Sequence, residues 1–131
     1  MHNRTLLVSL GLCLSFAVYA EEYPNINDGI FTKEQAKKGA KLYKEHCLIC
    51  HNKKYFKPVL KAWEGRTLAL LFETMSTTMP ETNPAGLPRK TYVDILAYIL
   101  SLSKYSAGET KLDYRNKALN NITIEARVRT K

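Results

Sequence analysis

Glu45-His46-Cys47-Leu48-Ile49-Cys50-His51-Asn52 is the stretch whose reading decides the fold. It contains Cys-x-x-Cys-His, the attachment pattern for a c-type haem. Two thiols add across the two porphyrin vinyl groups, and two intervening residues give the span needed to reach both. The histidine directly after the second cysteine is then held beneath the iron as the proximal ligand. The rival chemistries fit less well. Zinc needs about four ligands, and past Cys13 the chain offers only Cys47, Cys50, His46 and His51. A thioredoxin-like pair sits on a strand-to-helix turn, and no strand-like run precedes Cys47.

Working outward, the N-terminal side supplies a matching address. Arg4 gives a short positive region, Leu6 to Val18 is apolar, and Val18-Tyr19-Ala20 ends in small residues before Glu21-Glu22. Residues 1–20 therefore read as a signal peptide, and their apolar run is short for a span, which needs about 20 apolar residues. Retention of this segment as an anchor is the alternative. An exported protein with a haem motif is expected in the periplasm. Cleavage leaves 111 residues, with 19 Lys and Arg against 12 Asp and Glu, a net charge of +7. A chain of this size makes a small core, and burial of a haem supplies apolar contact that it lacks.

Residues 21–31 are polar, with Pro24, Asn25, Asn27, Asp28 and Gly29, and read as an irregular lead-in. Thr32-Lys33-Glu34-Gln35 has the form of a capping box, which predicts a helix from Lys33 to Glu45. Ala36, Gly39, Ala40 and Tyr43 share one face of it. Glycine inside a helix costs around 1 kcal/mol against alanine, so Gly39 points to close approach of a second helix. After the haem motif, Asn52 to Lys57 is polar and basic, and Pro58-Val59-Leu60 interrupts it. Thr67 opens a short helix through Leu68, Leu71, Phe72 and Met75 that ends at Ser76-Thr77-Thr78-Met79-Pro80. Glu81 to Pro88 is a loop by composition. Arg89 to Ser103 is the last helix, with Tyr92, Ile95, Leu96, Ile99 and Leu102 as its apolar face.

These residues together resemble a class I cytochrome c, over about Thr32 to Leu112. Gly39-x3-Tyr43-x3-Cys47-x2-Cys50-His51 is similar to the family's first helix and haem motif. Pro58-Val59-Leu60 resembles the segment whose proline carbonyl holds the proximal imidazole, and Met79-Pro80 resembles the distal methionine loop. Asp94-Ile95-Leu96-Ala97-Tyr98-Ile99 is similar to the C-terminal helix that crosses the first helix beside its glycine. Thr78-Met79-Pro80 through Gly86-Leu87, with Tyr92 to Leu100, most resembles the small cytochromes that serve periplasmic quinoprotein dehydrogenases. Asn52 departs from the glycine that many members carry and implies a different local turn.

The resemblance implies an all-α fold around one covalent haem c, with a cytochrome domain over residues 32–104. It implies Cys47 and Cys50 as attachment points and His51 and Met79 as axial ligands. Met75 is expected to pack in the core, His46 to lie at the surface and Tyr98 to pack. Trp63 packs either against a haem propionate or under the core. A thioether ligand raises the reduction potential, and a site closed by His and Met suits a carrier of single electrons rather than an enzyme. The implied donor is a periplasmic dehydrogenase and the acceptor another cytochrome or an oxidase. The alternatives are a haem subunit held in a dehydrogenase complex, and a peroxidase or gas-binding protein if the distal site is open.

Two further features bear on partners and on the C-terminal end. Between Thr32 and Arg66 ten Lys and Arg face only Glu34, Glu45 and Glu64, with Lys53, Lys54, Lys57 and Lys61 just after the haem motif. They form either a solvated face with Glu34–Lys38 and Lys41–Glu45 pairs or a surface that steers an acidic partner. Nucleic acid is not an expected partner, since no recognition motif is present. Residues 105–131 extend past the last helix, and Ile122-Thr123-Ile124-Glu125-Ala126-Arg127-Val128-Arg129 alternates as a strand does. A lone strand must pair or pack, either on this chain's own surface or on a partner or a second copy, and disorder is the remaining alternative.

Overall fold

Four α-helices carry the fold of the computed structural model, which describes residues 24–129. They are α1 (Lys33–His46), α2 (Phe56–Ala62), α3 (Leu68–Thr78) and α4 (Arg89–Leu102), followed by a single 3-10 turn at Arg115–Lys117. The expected signal peptide and Cys13 lie outside the described residues.

The frame is the crossing of α1 and α4, the most extensive helix contact. Thr32 caps α1 by accepting a hydrogen bond from the Gln35 amide at 3.1 Å. The second half of the expected capping box does not form. Gln35 turns inward instead, donating to Asp94 Oδ1 at 3.1 Å and to the Leu112 carbonyl at 2.8 Å, and accepting from the Leu112 amide. At Gly39 the two backbones touch: a Cβ there would sit 1.9 Å from the Asp94 carbonyl oxygen. No rotamer change relieves a clash with backbone. Gly39→Ala is therefore expected to lower stability by about 2–3 kcal/mol, the cost of overpacking a tight site, as read by urea denaturation.

Asp94 anchors the same crossing. Its side chain is 1% exposed, yet it receives Lys38 Nζ at 3.0 Å and Lys90 Nζ at 3.1 Å. Burial alone pushes its carboxyl up, but the combined hydrogen bonds from Lys38, Gln35 and Lys90 outweigh it and hold the group below the usual carboxylate range. A buried charge is tolerable only when paired in this way. The Glu34–Lys38 pair does not form, because Lys38 reaches across to Asp94, and no Lys41–Glu45 pair forms among the described residues.

α2 was not expected from the sequence, where Pro58 reads as an interruption. Pro58 is the third residue of this helix, and a proline is tolerated in a first turn because the amide it lacks has no partner there. α3 begins where expected, with Thr67 accepting from the Leu70 amide at 3.3 Å. Glu73 on α3 and Arg89 on α4 form a two-pronged ion pair, and the guanidinium lies 4.7 Å over the Phe72 ring.

The segments flanking the helices belong to the core. Ile26, Ile30 and Phe31 of the irregular lead-in are buried, as are Tyr105, Leu112, Leu119, Ile122 and Ile124 of the C-terminal segment. Gly108 lies against Gly29, so close that a Cβ would stand 2.2 Å from the Gly29 oxygen. The alternating stretch 122–129 forms no strand; it makes only isolated bridges from Thr123 to Asn25 and to Thr67. Its backbone passes between two neighbours: Thr123 N donates to Pro24 O at 3.1 Å, and Ile124 N donates to Arg66 O at 2.8 Å. The alternation reflects Ile122 and Ile124 entering the core, and from Glu125 onward the side chains are exposed.

Candidate haem site

The end of α1 delivers the motif. Cys47 caps the helix, its amide donating to the Tyr43 carbonyl at 2.9 Å. The chain then closes a turn in which the Cys50 and His51 amides both donate to the Cys47 carbonyl, at 3.1 and 2.8 Å. Neither cysteine is in a disulfide; Cys47 is half-buried against the core and Cys50 is exposed. Burial pushes the Cys47 thiol up to about 11.

Tyr43 locks the far side of this turn. Its ring is buried one turn before Cys47, and its hydroxyl donates to the His51 carbonyl at 2.6 Å. Burial, with the neighbouring Cys47 and Tyr98, raises this phenol to about 12. Asn52 makes the departure from glycine workable, since its side-chain oxygen accepts from the Lys54 amide at 2.9 Å and shapes the next turn.

The His51 ring packs at 4.2 Å from Tyr55 and 5.7 Å from Phe56, centroid to centroid. The resemblance placed the Pro58 carbonyl on this imidazole. Among the described residues the His51 side chain makes no hydrogen bond, and Pro58 lies within the helix that follows. Between the two cysteines Ile49 is 91% exposed, and Leu48 and Tyr55 are also exposed. Two free thiols, one imidazole and an uncovered apolar border fit a porphyrin joined to the chain here.

Met79 lies where α3 ends, half-buried, as that helix's C-terminal cap. Tyr92, which sequence reasoning treated only as core, fixes this loop: its hydroxyl donates to the Met79 carbonyl at 2.5 Å and accepts from the Leu87 amide at 3.2 Å. The signal for it was a tyrosine on an otherwise aliphatic face, because a buried phenol needs a partner. Met75 packs against the core as expected. Tyr98 packs edge-on against Tyr43 at 5.4 Å. Trp63 caps α2, rests partly on the core and carries the Arg66 guanidinium 5.2 Å over its ring. His46 is the last residue of α1, 3.7 Å from Glu45.

No helix among the described residues is long and apolar enough to cross a membrane. No curated protein and no solved structure matches the chain. Residues 34–99, just over half of the chain and the whole span from α1 through most of α4, match the family model described as cytochrome c oxidase, cbb3-type, subunit III. The all-helical frame, the thiol pair and that match agree: the chain belongs to this family of c-type cytochromes, has the class I cytochrome c fold, and carries covalently bound haem c for electron transfer.

Proposed function

We propose that this protein is an exported, freely diffusing carrier of single electrons, working in the periplasm between a dehydrogenase and another cytochrome or an oxidase. The observation that carries the reading is the Cys47–His51 turn, with both thiols free and its exit held by Tyr43. Cys47 and Cys50 would hold the haem by thioether bonds, and His51 and Met79 would bind its iron. When bound, the haem supplies reversible one-electron chemistry. Tyr43 fixes the backbone that bears His51, while Tyr92 and the Glu73–Arg89 pair fix the end of α3 that bears Met79. With both residues bound to the iron, no position would be left for substrate, and an electron would pass with little rearrangement. The dehydrogenase as donor rests on the resemblance of residues 78–100 to cytochromes of that kind. A subunit role is the second reading, favoured by the oxidase-subunit description of the matched family; co-purification from the native source separates the two.

The test of the ligand set compares wild type, Met75→Ala and Met79→Ala. Met79→Ala is expected to lose the weak far-red band of the ferric protein, lower the reduction potential and bind cyanide readily, while Met75→Ala only lowers stability. Loss of the band in Met75→Ala alone would transfer the role to that residue. Avid carbon monoxide binding by wild type would replace the carrier with a gas-binding protein or peroxidase.

Electron transfer from the physiological donor is also expected to slow with salt, because screening shortens from roughly 10 Å at 0.1 M to about 3 Å at 1 M. Stopped-flow rates that stay flat across this range would leave the lysines after the motif as a solvated face.

A further inference from the structure

Beside α2 the chain builds a positively charged cleft that haem binding does not explain. Lys57 and Lys61, one helical turn apart, line it from one side, and Arg127 lines it from the C-terminal segment. Its volume is about 330 Å³, and buried Leu60 and Tyr105 contribute to its wall. Glu64 is the one carboxylate among the lining residues, and none of the three cations forms an ion pair among the described residues. Like charges spaced i, i+4 on a helix cost about 0.2–0.5 kcal/mol, and the fold adds a third cation beside them.

That third cation is presented by a held backbone. The Ala126 carbonyl accepts from the Asn27 side chain at 3.1 Å, and the Val128 amide donates to Asn27 Oδ1 at 2.9 Å. One residue earlier still, the Glu125 carbonyl accepts from the Tyr105 hydroxyl at 2.8 Å. Both neighbours of Arg127 are thus fixed although the residue itself is exposed. It also lies outside the 34–99 family match, so this is a feature of the chain's own extension.

We propose that the Lys57–Lys61–Arg127 cleft is a socket for neighbouring carboxylate side chains on an acidic segment of a protein partner. The inference rests on the carrier reading, whose donor or acceptor it would seat. Spaced carboxylates can meet α2 and Arg127 on opposite walls while their short methylene stems lie on Leu60 and Tyr105. A compact phosphate concentrates its charge at one point and would meet Glu64 as well. Lys57 directly follows Phe56, which packs on His51, so a partner seated there lies beside the haem motif.

The test titrates the reduced holoprotein with a short oligoglutamate peptide and follows backbone amide shifts by NMR. Shifts are expected at Lys57, Lys61, Ser103, Tyr105 and Arg127. Lys61→Gln with Arg127→Gln is expected to weaken binding at least about tenfold, a difference of about 1.4 kcal/mol. Lys33→Gln with Lys37→Gln, which line a separate groove on α1, removes the same charge and is expected to change it by less than about twofold, the scale of exposed charge effects. Glu64→Gln is expected to tighten it. Equal losses in the two double variants would reduce the effect to net charge and overturn the socket. Inorganic phosphate binding more tightly than the peptide with the same shifts would also overturn it, making the occupant a small anion. Haem staining and reduction by ascorbate in the same samples judge the carrier reading separately, since the peptide titration does not depend on electron transfer.

Discussion

Deletion of residues 119–131 is expected to unfold the protein or leave it barely folded, with the thermal midpoint falling by at least about 20 °C. Leu119, Ile122 and Ile124 are buried, and fully burying such side chains contributes about 1.5–3 kcal/mol each. Their sum approaches the whole stability of a small domain, about 5–15 kcal/mol. The deletion also strips partners from the Leu68, Ala69 and Gly65 amides, which donate to Ile122, Leu119 and Ile124 carbonyls. Leu68 and Ala69 start α3, so the damage reaches the helix that ends in Met79. Circular dichroism melting of the holoprotein decides the matter. An unchanged midpoint combined with loss of self-association or of a partner would return the segment to a docking role.

Cys47→Ala combined with Cys50→Ala is expected to leave no haem on a denaturing gel, an all-or-none result. The single variants should differ in kind. Cys47 is half-buried and packs on the core, so its loss removes both an attachment bond and apolar contact. Cys50 is exposed, so Cys50→Ala should cost attachment with less damage to the polypeptide. Haem staining and far-UV circular dichroism on the three variants separate attachment from folding. Full-strength covalent haem in the double variant would refute attachment through this motif.

What was legible in the sequence was local. Cys47, Cys50 and His51 sit within one turn of chain, so their chemistry is written in five consecutive residues. The helices α1, α3 and α4 follow from periodic apolar faces, and Gly39 signalled a close crossing that the structure places against Asp94. What was hidden depends on partners far along the chain. Gln35 looked like the second half of a capping box, but its contacts are 59 and 77 residues away. Asp94 pairs with Lys90 one turn away, but its other partners, Lys38 and Gln35, come from α1 and are far from it in sequence. Pro58 was read as a break because a proline in a first turn and one between helices look alike. Residues 122–129 carried a genuine alternation, yet a strand also needs a ladder, and here each side offers only an isolated bridge.

The meeting of Pro24 with Thr123, and of Asn27 with Val128, places both ends of the described chain side by side. Anything joined to the described residues at Pro24 or after Val128, whether a leash, a label or a second domain, would hold them by the same pole. A circular permutant of residues 24–129 is then within reach: a short linker would join those two positions, and new termini would open in the proline- and glycine-containing loop between α3 and α4. Such a permutant keeps the Cys47–His51 turn uncut and moves its chain ends away from that pole.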